Sequence, residues 1–280
     1  MSIASRVKDL LSAQPPAPAD TVGSNVFPRT ITVSEGGRDY KFVCHSVKEQ
    51  NRAQRMLEKE KGTIAWLDRE LKPDDIFFDI GANIGVYTIF AADRINGTGA
   101  IFAFEPHIPN ANSLIENIVA NRKQHLIKLV TAALSNQQTY QPFNYQSLAA
   151  ASSTSQLGRT HYEQETFEPV FVEIKHGCSI DELWQKGVIP APDLVKIDVD
   201  GVDFEVLDGM RNLLTSDQRP RSIQVELGSD SKLKIMNLCD ETGYMLQEKH
   251  WTKAGLDFIA AGNSAEDYPH YGIFRHLDQK

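Results

Sequence analysis

Beyond Pro73 short apolar runs alternate with stretches of helical spacing. Ile76–Ile80, Ala100–Phe104, Leu126–Thr131, Leu194–Ile197 and Ile223–Leu227 predict strands. Val86–Arg94, Asn110–Asn121, Phe204–Leu214 and Lys232–Glu241 predict helices lying between most of them. Nearly continuous apolar strands separated by helices require cover on both faces, so the pattern predicts an α/β fold around a mostly parallel sheet. Tyr140–Glu168, rich in Ser, Gln and Ala, breaks the alternation and predicts a long loop or lid. Near the end, Tyr244–Glu248 and Leu256–Ala261 read as two strand-like pieces, whose close spacing predicts an antiparallel pair at one sheet edge.

The first 72 residues follow another pattern. Ile3, Val7, Leu10 and Leu11 recur at helical spacing, and the Pro-rich stretch from Gln14 to Asp20 then predicts a stiff extended linker. Thr30–Val33 and Tyr40–Val43 flank Glu35-Gly36-Gly37-Arg38, which is a hairpin signature. Lys48–Leu71 predicts one or two helices ending at Pro73. The expected organisation is therefore an N-terminal helix and linker (1–27), a hairpin and helical arm (28–72) and a catalytic domain (73–280). The N-terminal arm is also a candidate homodimer contact.

Composition narrows the function classes. Twenty-nine basic against 37 acidic side chains give the 280-residue chain a formal charge of −8, which argues against a nucleic-acid partner. Cys44, Cys178 and Cys239 are far apart and lack zinc-ligand spacing, so neither a disulfide framework nor structural zinc is expected. Residues 1–14 lack the long apolar core of a secretion signal, and no apolar run is long enough to span a bilayer. The expected location is the cytoplasm.

The chemistry concentrates at Asp79-Ile80-Gly81-Ala82-Asn83-Ile84-Gly85, where a predicted strand runs through a glycine loop into a helix. Glycine permits the tight turn and lets a ligand approach the backbone closely. Glu105 ends the next strand about twenty residues further on, a position suited to both hydroxyls of a ribose. Dinucleotide binding wants glycine where Asn83 stands, because a pyrophosphate must settle on the helix N-terminus. The Asp79 carboxylate would repel a pyrophosphate but suits the ammonium of a methionine moiety. These residues favour S-adenosyl-L-methionine over a nicotinamide cofactor.

The chain resembles the FkbM-type methyltransferases. The likeness rests on Phe78–Gly85, Phe104-Glu105-Pro106, Ala133-Leu134-Ser135 and Lys196-Ile197-Asp198-Val199-Asp200-Gly201, in that order, and extends from about Gly62 to Ala261. The resemblance implies a class I methyltransferase (Rossmann-like) fold, a seven-stranded mostly parallel sheet whose last strand is antiparallel. It implies that Asp79, Gly81, Asn83 and Gly85 hold the methionine end of the cofactor. It further places Glu105 on the ribose, Pro106 and His107 near the adenine, and Ala133 and Ser135 by the adenine edge. The chain departs from the pattern at Asp200, where the family usually carries Glu.

Ligands of parallel sheets bind beyond the carboxyl ends of the strands. Asp198, Asp200 and Glu226 are therefore expected to converge where a methyl group would be transferred, with Asp198 as general base or anchor of the acceptor hydroxyl. Mg²⁺ held by Asp198 and Glu226 is a variant of this scheme, not the favoured one. Lys196 is expected to pair with a neighbouring carboxylate, and His107 serves equally well as a helix-entry residue. The leading function is O-methyl transfer to a hydroxyl of a small molecule, sugar or glycolipid-like acceptor. The competitors are a catalytically silent cofactor-binding scaffold and, disfavoured by Asp79 and Asn83, a nicotinamide oxidoreductase.

Overall fold

A computed structural model describes residues 27–162 and 165–278. The expected helix over residues 2–11 lies outside the described residues. The chain first forms an antiparallel hairpin of β1 (Arg29–Glu35) and β2 (Arg38–Cys44). Gly36 and Gly37 both adopt positive φ at its tip, the backbone a two-residue turn with the twist of the strands requires. Three helical pieces follow, α1 (Val47–Gln54), α2 (Met56–Lys59) and α3 (Lys61–Glu70). Ser46 and Glu49 cap the first reciprocally: the Ser46 hydroxyl accepts from Glu49 N–H while the Glu49 carboxylate accepts from His45 N–H and Ser46 Oγ.

The region after Pro73 alternates strand and helix: β3 (Ile76–Ile80), α4 (Val86–Ala91), β4 (Ala100–Phe104), α5 (Ile108–Ala120) and β5 (Ile127–Val130). An excursion then builds β6 (Ala133–Leu134), β7 (Thr139–Tyr145), β8 (Gln156–Leu157), β9 (His161–Tyr162), β10 (Glu165–Thr166) and β11 (Phe171–Cys178). The alternation resumes with α6 (Ile180–Gln185), β12 (Leu194–Ile197), α7 (Asp203–Asp208), α8 (Arg211–Leu214), β13 (Ser222–Leu227) and α9 (Lys232–Glu241). It closes with β14 (Tyr244–His250), α10 (Lys253–Ala260) and β15 (His270–His276).

The main sheet has seven strands in the order β14-β15-β13-β12-β3-β4-β5. β15 runs antiparallel to both neighbours, and the remaining pairs are parallel. Seven strands with the last one reversed is the arrangement expected of the class I methyltransferase fold. The chain moves outward from β3 to β5 and then returns to β12, leaving a crevice at the carboxyl ends of β3 and β12, where the strand order reverses.

Two apolar layers cover the sheet. One holds Phe77, Ile101, Phe90 and Leu114 together with Tyr40, Phe42 and Trp66, so the hairpin and helical arm share this core. The other holds Phe78, Ile197 and Val225 under Val206, Leu213 and Leu238. Polar pairs key the arm in place: Trp66 Nε1 donates to Ser222 Oγ at 3.0 Å, and Asn117 joins Val43 N–H to the Ile84 carbonyl.

Three expectations fail. Leu256–Ala261 is helical, because Thr252 caps α10 by accepting Gly255 N–H and the short apolar run carries no period of its own. The antiparallel partner of β14 is β15, whose Tyr271, Ile273 and Phe274 are buried. The segment 140–168 is not one long loop, since β7 pairs with β11 and β8 in a four-stranded sheet that also takes in β6. Its polar residues Gln141 and Asn144 masked the alternation. The helix expected over Phe204–Leu214 is broken at Gly209, where a Cβ would lie 2.5 Å from the Ser135 carbonyl oxygen.

Candidate cofactor and acceptor site

β3 delivers the chain into the crevice at Gly81, whose φ of 80° favours glycine. A Cβ there would lie 1.8 Å from the Asp198 carbonyl oxygen, so glycine lets the loops after β3 and β12 touch. Gly85 likewise adopts φ 85° at the start of α4, close against Leu114. Between them Asn83 takes φ 55° and is held on two sides. Its N–H donates to Glu105 Oε2 at 2.7 Å, and its amide donates to the Ser152 carbonyl at 2.8 Å.

Glu105 leaves β4 at the crevice floor and is 5% exposed. Besides Asn83 N–H it accepts from His107 N–H and from Asn110 Nδ2. Burial pushes its carboxyl up to about 7, although these donors pull the other way. His107 caps α5 by accepting Asn110 N–H on Nδ1, leaving Nε2 to meet the Ser147 carbonyl at 2.7 Å. It thus fills the helix-entry role while still lining the crevice.

Lys196 is fully buried on β12, with Nζ 3.1 Å from Asp198 Oδ2 and 3.7 Å from Asp79 Oδ1. Asp79, 1% exposed, also accepts from Thr88 Oγ1 and does not line the crevice. Burial raises its carboxyl above the usual range, partly offset by Lys196. Burial opposes ionisation of Asp198 too, yet the Lys196 ammonium, followed by Lys59 and Arg52, holds this carboxyl below its ordinary value.

Beyond Asp198 the carboxylates crowd. Asp200, at φ 51°, accepts from Thr154 N–H, and Asp203 accepts from Val199 and Gly201 N–H. Burial and then repulsion by Asp198 raise Asp200, and push Asp203 up to about 7. Glu226 is raised well above the ordinary range by burial and by repulsion from Asp198, Asp203 and Asp200. Asp203 thus ties down the loop that leads into α7, while its side chain caps no helical N–H. Among the described residues, no group of three or more His, Cys, Asp and Glu side chains is arranged to hold a metal ion. Nor, among them, is any helix long and apolar enough to cross a membrane.

Three adjoining spaces result. A polar cleft of about 580 Å³ runs over Gly81 and Asn83 between Glu105 and the pair Asp198 and Asp200. An apolar slot of about 410 Å³, lined by Phe104, Ala133, Leu134, Phe143 and Leu157, opens beside it and shares Gly81 and Pro106. A third cavity of about 810 Å³ shares Asp200 with the cleft and is lined by Arg159, Phe204, Glu226 and Lys234. The crevice thus brings together Gly81, Asn83, Glu105, Pro106, His107, Asp198 and Asp200, with Ala133 in the slot and Glu226 in the third cavity. Gly85 and Ser135 line none of the three.

Sequence reasoning missed Arg52 and Lys59 from the arm, Asn110 and Ser152–Ser155. Asn110 lies one short helical step beyond His107, a placement the Glu105-Pro106-His107 motif could have suggested. The arm residues carry no local motif, because only the tertiary fold brings α1 and α2 over the crevice.

Strand order, glycine loop and terminal carboxylate of β4 together define a nucleoside-cofactor protein of the class I methyltransferase type. Residues 79–246 match the family described as Methyltransferase FkbM domain, and the chain belongs to that family. A curated relative, the hexuronic acid methyltransferase AglP of Haloferax volcanii, is 31% identical over 176 residues, 63% of this chain and 66% of that protein. The chain thus matches slightly less than two thirds of that relative's length. Among solved structures, methyltransferase FkbM from Methylobacillus flagellatus is 12% identical, covers 74% of this chain and 44% of its own, and has a TM-score of 0.49. A precorrin-6y C5,15-methyltransferase from Geobacter metallireducens is 17% identical over 76% of this chain and 86% of its own, with a TM-score of 0.43.

Proposed function

We propose that the protein is an S-adenosylmethionine-dependent O-methyltransferase acting on a hydroxyl of a sugar acceptor, with hexuronic acids as the first acceptors to test. One observation carries this reading: the cleft over Gly81 and Glu105 and a second cavity lined by Arg159, Glu226 and Lys234 meet at Asp200, beside Asp198. The residues fit the cofactor, since an apolar slot adjoins the buried Glu105 carboxylate and glycine keeps the backbone open at residue 81. Glu105 would hold the ribose hydroxyls, the Phe104–Leu134 slot the base, and the backbone at Gly81 the methionine end.

S-adenosylmethionine, when bound, supplies a methyl group on a positively charged sulfur. The chain's own task is alignment, which is worth about 7–11 kcal/mol when reacting groups are well positioned. Asp198, kept ionised by Lys196, orients the acceptor at the junction of cleft and cavity. Glu226 has no side-chain hydrogen bond among the described residues, and its raised carboxyl suits it to accept the hydroxyl proton. Such a base contributes about 10²–10⁴-fold. Lys234, over the Phe204 ring at 5.6 Å, gives the acceptor cavity a cation suited to a uronate carboxylate. That a curated relative is named a hexuronic acid methyltransferase supports the same acceptor class.

The test is transfer of labelled methyl from S-adenosylmethionine to a panel of glycosides that pairs each uronate with its neutral sugar. The reading expects an alkali-stable methyl ether, formed faster on the uronate. An alkali-labile methyl ester would contradict the hydroxyl assignment, and no transfer to any glycoside would contradict the acceptor class.

A further inference from the structure

We infer that Arg52 anchors the α-carboxylate of the cofactor's methionine moiety, which makes the N-terminal arm part of the cofactor site. This assignment rests on the S-adenosyl reading above. Arg52 lines the polar cleft, yet among the described residues no carboxylate lies within ion-pair distance of it. Its Nη1 makes one long bond, 3.4 Å to the Ala151 carbonyl, and its Nε is buried with no partner. No hydrogen bond engages Nη2 among the described residues, so the guanidinium fork that lines the cleft keeps donors free for an added acceptor.

The other cations nearby are engaged. Lys48 Nζ donates to Ser152 Oγ at 2.8 Å, and Lys59 Nζ lies 2.9 Å from Glu60 Oε1. The charges of the cleft point to the same ligand group. Glu105, Asp198 and Asp200 suit ribose hydroxyls, an ammonium and a sulfonium, but they repel a carboxylate. A zwitterionic amino-acid end entering this cleft needs one cation with free donors, and the guanidinium fork matches a carboxylate in shape.

The experiment is calorimetric titration of wild type, Arg52→Gln and Arg52→Lys with two ligands. One is S-adenosylhomocysteine; the other is its decarboxylated analogue, which keeps the nucleoside, thioether and amine. Arg52→Gln is expected to weaken S-adenosylhomocysteine by about tenfold or more while leaving the analogue unchanged, and Arg52→Lys to fall between. Equal losses on both ligands would mark a structural role, and no loss on either would remove the role; both overturn the assignment. A wild-type protein that binds neither ligand overturns the S-adenosyl reading itself.

Discussion

Asp198 and Glu226 stand on neighbouring strands but meet different electrostatic surroundings. Lys196 sits beside Asp198 and Asp79, whereas burial and the charges of Asp198, Asp203 and Asp200 dominate at Glu226. Asp198→Asn is therefore expected to keep S-adenosylhomocysteine affinity near wild type and to lower turnover about a hundredfold, within the range for a lost charged group at the reaction centre. Steady-state kinetics beside calorimetry checks it, and unchanged turnover would end the role. Glu105 gives a pH prediction. Ribose hydroxyls donate to the ionised carboxylate, so binding favours loss of its proton. Cofactor affinity should rise with pH through about 7 and level off above, and Glu105→Gln should flatten that dependence. A wild-type affinity independent of pH between 6 and 8 would contradict it. At this scale the glycines, Glu105 and the acidic residues after β12 were legible, because each is a local motif. The burial of Asp79 under Lys196 was not, since it depends on two strands lying side by side.

Elements read well where the period was long and failed where the run was short. α5 matched its expectation within two residues at its start and one at its end because its apolar face is sustained, whereas the Leu256–Ala261 run could be strand or helix until Thr252 capped it. β15 escaped notice since Pro269 precedes it and Gly272 and Arg275 interrupt its apolar residues. The hairpin was plain from its glycine pair, but its attachment was invisible. Asn117 on α5 and Asn121 at its C-cap satisfy the open edge of β2 through pairs 74 and 80 residues apart. Asn117→Ala would leave Val43 N–H and the Ile84 carbonyl without this partner, at about 1–3 kcal/mol for each group left unpaired. Urea denaturation is the check; a midpoint equal to wild type would show that these bonds do not hold the arm.

Across the whole molecule, the alternation of strand and helix was enough to predict a parallel sheet, and the ordered motifs to predict its type. The cavity proposed for the acceptor was not legible, because Arg159, Phe204, Glu226 and Lys234 come from four separate elements or loops that meet only after β12 and β13 pair. The same holds for the arm, whose cations reach the cleft across a core shared with the sheet. What unites these levels is a single crevice at the strand-order reversal, acidic at Glu105 and at Asp198 and Asp200, and apolar beside them. Calorimetric titration of the purified protein with S-adenosylhomocysteine, with NAD run in parallel, tests that directly. Saturable one-to-one binding of the first, weakened by Glu105→Ala and not matched by NAD, is the predicted result. Tighter binding of NAD, or no heat from S-adenosylhomocysteine at millimolar concentration, would contradict it.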